Sequence, residues 1–552
     1  MSISSFDIFD TCVVRKCGDP KYLFDVLSYM VFKEDVSTER RIEFITKRLS
    51  ADDTTSFENL YSTFTYQNTS LLSADSIMQK ELECERKMIV PVNSMLHKVE
   101  KCRDRGDRII FISDMYLPTF FLKDVLWETG FFKDGDAIYV SGDCGYKKRD
   151  GSLYDWIKNK ENVEYADWHH YGDNPVSDVQ IPASLGINAH PINHHYLPYE
   201  EWWKDKNASL KYHIGGIMAG IGRSISLSIN DNPHNAFAID IAAPLLSTFA
   251  MRIMSDAASR GIKKLFFCSR DCYALYYVAK KIEKVVPTVE AVYFYTSRES
   301  LYNTQEKDLI AYLVHIGLAQ TKESVGVVDM RSTGKSLIYL NDVLCRNGFN
   351  TVFGYYFEMF CSNFITDNVP PYYCEINTLY CKLFVHHHPI LERFLSLCPY
   401  GRTIGYDGLN PIIKDMSNEG EDYFVQNLDD FTAVNLKIMD KYAEGFIDTE
   451  LYRYADEMFS SYVIPTIESF FKNPNKLYLH SLRYLFLLQD DGTYIPYIEK
   501  KENNIKSLIL RKRYTSKIRL IRGIMKLIMI MFNIKSSPNK EWWSRGTKIY
   551  NE

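Results

Sequence analysis

SFDIFDTCVVR, residues Ser5 to Arg15, decides the fold of this chain. Its apolar residues surround a carboxylate, so it reads as a short buried strand that delivers Asp7 to a turn, with Thr11 four residues on. Three later stretches make sense beside it. RIIFIS, Arg108 to Ser113, is an apolar run of strand length ending in a hydroxyl. GYKKRDGSLY, at 145–154, carries Lys148 ahead of a helical segment. GDNPVSD, Gly172 to Asp178, is an acidic turn after a strand and sets Asp173 and Asp178 five apart. Between and after them come a helix at about 118–129, the strand AIYVS, a helix at 152–160 and the segment IPASLGINAHPI. This βα alternation predicts an α/β fold with a parallel, doubly wound sheet.

Transfer of a phosphoryl group needs a nucleophile, a metal and cations that accept charge on three oxygens. The four stretches, in this order and spacing, resemble the four motifs of the haloacid-dehalogenase superfamily. The resemblance implies that Asp7 attacks phosphorus to form an aspartyl-phosphate. Ser113 would hydrogen-bond a phosphoryl oxygen and Lys148 would neutralise charge. Mg²⁺ would be held by Asp7, Asp173, Asp178 and the main-chain carbonyl of Phe9. One position departs from the pattern. Superfamily phosphatases usually carry a second Asp two residues after the nucleophile, as general acid/base; here that residue is Phe9, with Asp10 next along. The metal site needs only the backbone there. Leaving-group protonation has three alternatives: Asp10 substitutes, the leaving group needs little help, or the domain is a weak or vestigial catalyst.

Residues 19–105 read as helical. PKYLFDVLSYMVF spaces its apolar residues helically, TSFE (Thr55–Glu58) is a capping box, and 73–101 continues apart from Pro91. An insertion over about 17–105 matches the helical cap that many superfamily members place over their site. The first domain is thus expected at 1–195, followed by a connector at 196–235.

The second half turns on VGVVDMRSTGKSLIYL, Val325 to Leu340. A strand ending in Asp329 leads through a small polar turn to a helix starting around 334–336, where exposed amides suit an anion. A Walker A loop would need Gly where Asp329 stands. The stretch instead resembles the phosphoribosyltransferase loop, which implies ribose hydroxyls at Asp329 and a 5-phosphate at Ser332, Thr333, Gly334, Lys335 and Ser336. The turn SRD would set Arg270 and Asp271 toward the pyrophosphate. The alternative is an ordinary turn whose Asp caps its own loop. Strands KKLFFCS and AVYFYTS, the helix CYALYYVAKKI and the strand NTVFGYYFEMF complete an α/β domain at 236–410. Residues 411–500 read as a mixed, largely helical extension.

At 552 residues, 46% hydrophobic and 14% aromatic, the chain is globular and long enough for two or more cores. Twelve scattered cysteines, with no CxxC pair, fit a reducing cytoplasm. No run of 18 apolar residues predicts a membrane span. Residues 501–552 carry 13 Lys/Arg and 3 Glu, net +10 against −5 for the chain, leaving −15 on residues 1–500. Within this tail, 505–534 reads as a basic amphipathic helix for an anionic membrane surface. Docking on its own protein and nucleic-acid binding are the rival readings. His386, His387 and His388 near Cys374, Cys381 and Cys398 lack tight zinc spacing and suit a solvent-facing or acceptor-groove cluster better. Glu392 and Arg402 are weak candidates for an acceptor sugar.

As a whole the chain resembles a bacterial protein type of capsule and O-antigen assembly. That implies a bifunctional enzyme: phosphoribosyl transfer from a diphosphate donor to a glycan acceptor, then removal of the 5-phosphate. Mg²⁺ is the cofactor expected, a phosphorylated sugar the substrate, and no nucleic acid a partner. The expected location is cytoplasmic, peripheral on the inner face of the plasma membrane. The rivals are a single-activity phosphohydrolase with a non-catalytic binding domain, and a non-catalytic assembly scaffold.

Overall fold

The N-terminal strand β1 (Ile3–Asp7) is buried at every residue because it is the middle strand of a parallel sheet. The structure, a computed structural model, describes residues 2–32, 37–51, 55–64, 73–206, 213–229, 235–332, 334–359, 394–396, 398–414, 422–472, 475–482, 486–488 and 494–496. It divides into two compact units, Met1–Asn232 with Asp448–Leu451, and Pro233–Ile447 with Tyr452–Glu552.

In the first unit, β2 (Val13–Arg15) pairs antiparallel with β3 (Ile89–Pro91). Then follow β4 (Arg108–Ser113), β5 (Ala137–Val140), β6 (Trp168–Gly172) and β7 (Asn188–Pro191), giving a sheet in the order β5-β4-β1-β6-β7. All its pairings are parallel, with Asp7 in register with Ile112 and Ser5 with His170. The chain fills one side of β1 first and then the other. The reversal creates a crevice at the carboxyl end of β1, where ligands of such sheets bind.

The insertion between β2 and β4 holds α1 (Leu23–Val31), α2 (Thr38–Leu49), α3 (Phe57–Thr63), α4 (Ala74–Met88) and α5 (Asn93–Asp104). The cap of α3 is Ser56, accepting from Asn59 N at 3.3 Å, one residue later than the TSFE reading placed it. The helical reading of 73–101 is interrupted at Ile89–Pro91, where Pro91 joins the short β3 pairing. Next come α6 (Thr119–Glu128), the single turn α7 (Ser141–Cys144), α8 (Ser152–Glu161) and the short α9 (Ile181–Leu185).

The stretch read as a connector contains α10 (Pro198–Lys206) and α11 (Ile214–Ile229), and α11 is buried along nearly its whole length in the first unit. Its glycines explain the fit. A Cβ on Gly220 would lie 2.2 Å from Gly18 N, so only a bare α-carbon lets this helix reach the backbone after Cys17.

In the second unit α12 (Ala243–Ser259) precedes β8 (Lys264–Cys268), α13 (Tyr273–Ile282), β9 (Glu290–Phe294), α14 (Arg298–Asn303) and α15 (Glu306–His315). Then come β10 (Val325–Ser332), α16 (Lys335–Arg346) and β11 (Phe353–Met359), which complete a parallel sheet in the order β11-β10-β8-β9. The strand expected to end at Asp329 runs three residues further, because pairing with β11 continues to Ser332 opposite Met359. A hairpin, β12 (Thr403–Asp407) with β13 (Asn410–Ile413), and a long helix, Asp422–Asp448, follow. Among the described residues, one helical run, Ala238–Ser259, is long and apolar enough to cross a membrane by length and composition; 83% of its apolar window is buried. The nine described cysteines are free thiols. Glu392, Thr333, the histidine triplet, Cys374, Cys381 and the basic tail lie outside the described residues.

Candidate functional site

The alternation of β1 puts Ser5 and Asp7 on one face, and β6 beside it puts Trp168, His170 and Gly172 on one face. Asp7 therefore emerges at the carboxyl end of the sheet. The turn after β6 returns Asp173 and Asp178 to it. Ligand oxygens of Asp7, Asp173 and Asp178 all lie within 4.8 Å of one another.

Lys148 ties this trio together, its ammonium 2.5 Å from Asp7 Oδ1 and 2.7 Å from Asp178 Oδ1. Its backbone is aimed by Asp114, whose carboxylate accepts Lys148 N–H at 2.8 Å. Asp178 also accepts from Asn174 N at 3.1 Å through Oδ2 and lies 3.2 Å from His170 Nε2. Gly172 makes room for it: a Cβ there would sit 2.5 Å from that of Asp178. Thr11, fully buried, donates to Asp173 Oδ1 at 3.5 Å.

Three carboxylates facing one ammonium leave surplus negative charge in a desolvated place. Burial pushes Asp7 up to about 8 against the pull of Lys148, with Asp178 and Asp173 adding to the rise. Burial and the neighbouring Asp10 and Asp178 charges push Asp173 up to about 6. Burial acts on Asp178 in the same sense, yet Lys148 and His170 hold its carboxyl well below the usual range. Burial lowers the His170 imidazole, partly offset by Asp178. Hard oxygen donors with excess negative charge suit a small divalent cation, so the residues fit Mg²⁺.

Ser113 ends β4 one residue beyond Ile112, the register partner of Asp7, and is buried. Asp10 is elsewhere. Its backbone takes a left-handed φ of 57°, its N–H donates to Val13 O, and its carboxylate lies 3.7 Å from Arg223 Nη2 on α11. The structure thus does not bring Asp10 into the carboxylate trio. Phe9 turns its ring under the guanidinium of Arg15, 3.9 Å from its centroid, and Arg15 is in turn paired with Glu85 at 2.8 Å.

His170, Ser5, Trp168 and Asp114 were not legible as site residues. The signal was present for Ser5, which shares the face of Asp7 by strand alternation.

The second unit has a cavity of about 760 Å³ at the carboxyl ends of β8, β9 and β10. Arg270, Asp271, Asp329, Ser332, Lys335 and Ser336 all line it, and so does Arg402, from the loop before β12. Gly334, with φ 78°, caps α16, and its N–H donates to Ser332 Oγ at 3.1 Å. Arg402 pairs with Glu299 at 3.1 Å. Burial first, then the nearby Asp329 charge, raises the thiols of Cys268 and Cys272 well above their usual range.

No family model matches the chain. No curated protein matches it either. Solved structures of haloacid-dehalogenase (HAD) proteins are similar over about a third of it. A HAD phosphatase from Thermococcus onnurineus aligns at 18% identity over 35% of this chain and 87% of that one, TM-score 0.28. A magnesium-bound HAD hydrolase from Bacillus subtilis aligns at 10% identity, covering 34% and 86%, TM-score 0.26. A HAD-family hydrolase from Deinococcus radiodurans with bound phosphate and sodium aligns at 10% identity, covering 34% and 78%, TM-score 0.22. Values this low leave the reading of the site to its own geometry.

Proposed function

We propose that the first unit is a Mg²⁺-dependent phosphohydrolase of the HAD type. The observation that carries this reading is the trio Asp7, Asp173 and Asp178, closed by the Lys148 bridge between Asp7 and Asp178. Bound among these carboxylates, Mg²⁺ supplies positive charge to the phosphoryl oxygens. Asp7, on the rigid end of a central strand, attacks phosphorus as the P–O bond to the leaving group breaks and that group departs as its oxyanion, forming an acyl phosphate that water then hydrolyses. Lys148 stays against Asp7 and offsets charge on the transferred group. Ser113 offers its hydroxyl to a phosphoryl oxygen. Phe9, with its ring stacked under Arg15, has no proton to give, so the reading favours leaving groups that depart without strong acid help. Release of inorganic phosphate from an aryl phosphate with Mg²⁺, stopped by a chelator, tests it. No release under any divalent metal would support a non-catalytic scaffold.

A second reading concerns the second unit, and its cavity favours it. Cations at Arg270 and Lys335, hydroxyls at Ser332 and Ser336 and a carboxylate at Asp329 suit a phosphorylated pentose donor. On this reading the unit transfers a pentosyl phosphate to a glycan acceptor near Arg402, in bacterial surface-polysaccharide synthesis. The phosphohydrolase then removes the phosphate. The basic tail would hold the chain on anionic lipid. Its rival is a unit that binds a glycan or partner without catalysis. Calorimetry with ribose 5-phosphate 1-diphosphate and Mg²⁺ separates them, since heat with the donor, lost in Asp329→Ala, supports transfer.

A further inference from the structure

His170 is fully buried and belongs to none of the groups that the proposed reaction uses directly. We propose that His170 is a positioning residue: a one-way hydrogen-bond chain starting at the Trp168 indole fixes its imidazole as the Nε2–H tautomer, and that N–H holds Asp178 for the divalent cation. The inference rests on the metal-dependent reading of the first unit.

The direction of the chain follows from what each group can do. An indole N–H only donates. Trp168 Nε1 lies 2.7 Å from Ser5 Oγ, so Ser5 accepts there. Ser5 keeps one proton, with two acceptors in reach: His170 Nδ1 at 2.7 Å and the His169 carbonyl at 3.4 Å. Given to Nδ1, it leaves that nitrogen an acceptor, and the ring proton must sit on Nε2, 3.2 Å from Asp178 Oδ1. Every contact is then a donor facing an acceptor. The opposite tautomer would point a bare Nε2 lone pair at a carboxylate oxygen and send the Ser5 proton to the longer contact. In a fully buried place an unpaired polar atom of this kind is costly.

The result is a carboxylate fixed at both oxygens. Asp178 Oδ1 receives Lys148 and His170, and Oδ2 receives Asn174 N–H. Only its outward lone pairs remain for a cation shared with Asp7 and Asp173. Such outer partners typically change metal affinity by about ten- to a hundredfold.

The test uses the full chain. Long-range proton–nitrogen NMR of [¹⁵N]histidine-labelled, metal-free protein reads the tautomer, and the His170→Gln spectrum identifies the His170 signals. The expected result is protonated Nε2 and bare Nδ1 in the wild type, with that preference lost in Trp168→Phe. Mg²⁺ calorimetry should show binding weakened about ten- to a hundredfold in His170→Leu, with most of it recovered in His170→Gln, which keeps a donor of similar reach. A protonated Nδ1 in the wild type, or an unchanged tautomer in Trp168→Phe, overturns the proposal. So does wild-type Mg²⁺ affinity in a folded His170→Leu. Absent Mg²⁺ binding by the wild type would count against the metal-dependent reading instead, while the tautomer measurement still decides this one.

Discussion

At the residue scale, the site is a balance between burial and one ammonium. Lys148 bridges Asp7 and Asp178, while burial, and then the neighbouring carboxylate charges, raise the pKa values of Asp7 and Asp173. Asp173 at about 6 and Asp7 at about 8 both sit above the ordinary carboxylate range, so each carries a proton below its own value. A divalent cation must displace those protons. Mg²⁺ affinity is therefore expected to rise as pH climbs from about 6 to about 8 and to level off above, with proton release largest at the acid end. Calorimetry in buffers of different ionisation enthalpy measures that release; affinity independent of pH across the window would contradict it. Gly172 gives a second expectation. Gly172→Ala puts a methyl 2.5 Å from Asp178 Cβ and must displace that carboxylate, lowering Mg²⁺ affinity by about ten- to a hundredfold. Unchanged affinity in the variant would mean that Asp178 is not held where the site needs it.

At the element scale, the helices between β2 and β4 are tied by buried ion pairs at two positions one turn apart on α4. Glu81 pairs with Arg48 at 2.6 Å and accepts from Tyr61, while Glu85 pairs with Arg15. Arg48 and Glu81 are both nearly fully buried. Arg48→Met alone leaves an uncompensated carboxylate and should destabilise the fold by about 3–5 kcal/mol, whereas Arg48→Met with Glu81→Leu should cost far less. Chemical denaturation checks both; equal losses would place the energy in packing rather than charge. Helix α11 makes a similar point through shape. Gly220→Ala forces a Cβ into the backbone at Gly18 and should cost about 1–3 kcal/mol. These elements also mark how far the sequence could be read. The strands that carry Asp7 and Ser113 were legible because each is a short run of strand character ending in a polar residue, and Asp173 was legible from the acidic turn that follows β6. The role of α11 was not, because a glycine-rich apolar segment after a polar stretch reads equally as linker or buried helix until its partner backbone is known. The end of β10 was misread for a related reason. Asp329 and Ser332 look like turn residues locally, but β11 supplies a ladder that carries the strand past them. His170 stayed hidden because its meaning depends on Ser5, 165 residues away.

At the scale of the whole molecule, each unit has its polar groups at the carboxyl ends of a parallel sheet. The sequence separates the two chemistries as well, with a metal-suited carboxylate trio in the first unit and a cavity of mixed charge in the second. If the second cavity takes a phosphorylated donor, losing one charge-assisted hydrogen bond in Asp329→Ala should weaken binding by about ten- to a hundredfold. In the first unit the covalent intermediate distinguishes nucleophilic attack by Asp7 from every other route to phosphate. The full chain, incubated with Mg²⁺ and an aryl phosphate, is quenched in acid and its N-terminal peptide is examined by mass spectrometry. The expected result is a phosphoryl group on Asp7, labile to hydroxylamine, with neither the adduct nor phosphate release in Asp7→Asn. Phosphate release continuing at the wild-type rate in Asp7→Asn would contradict it.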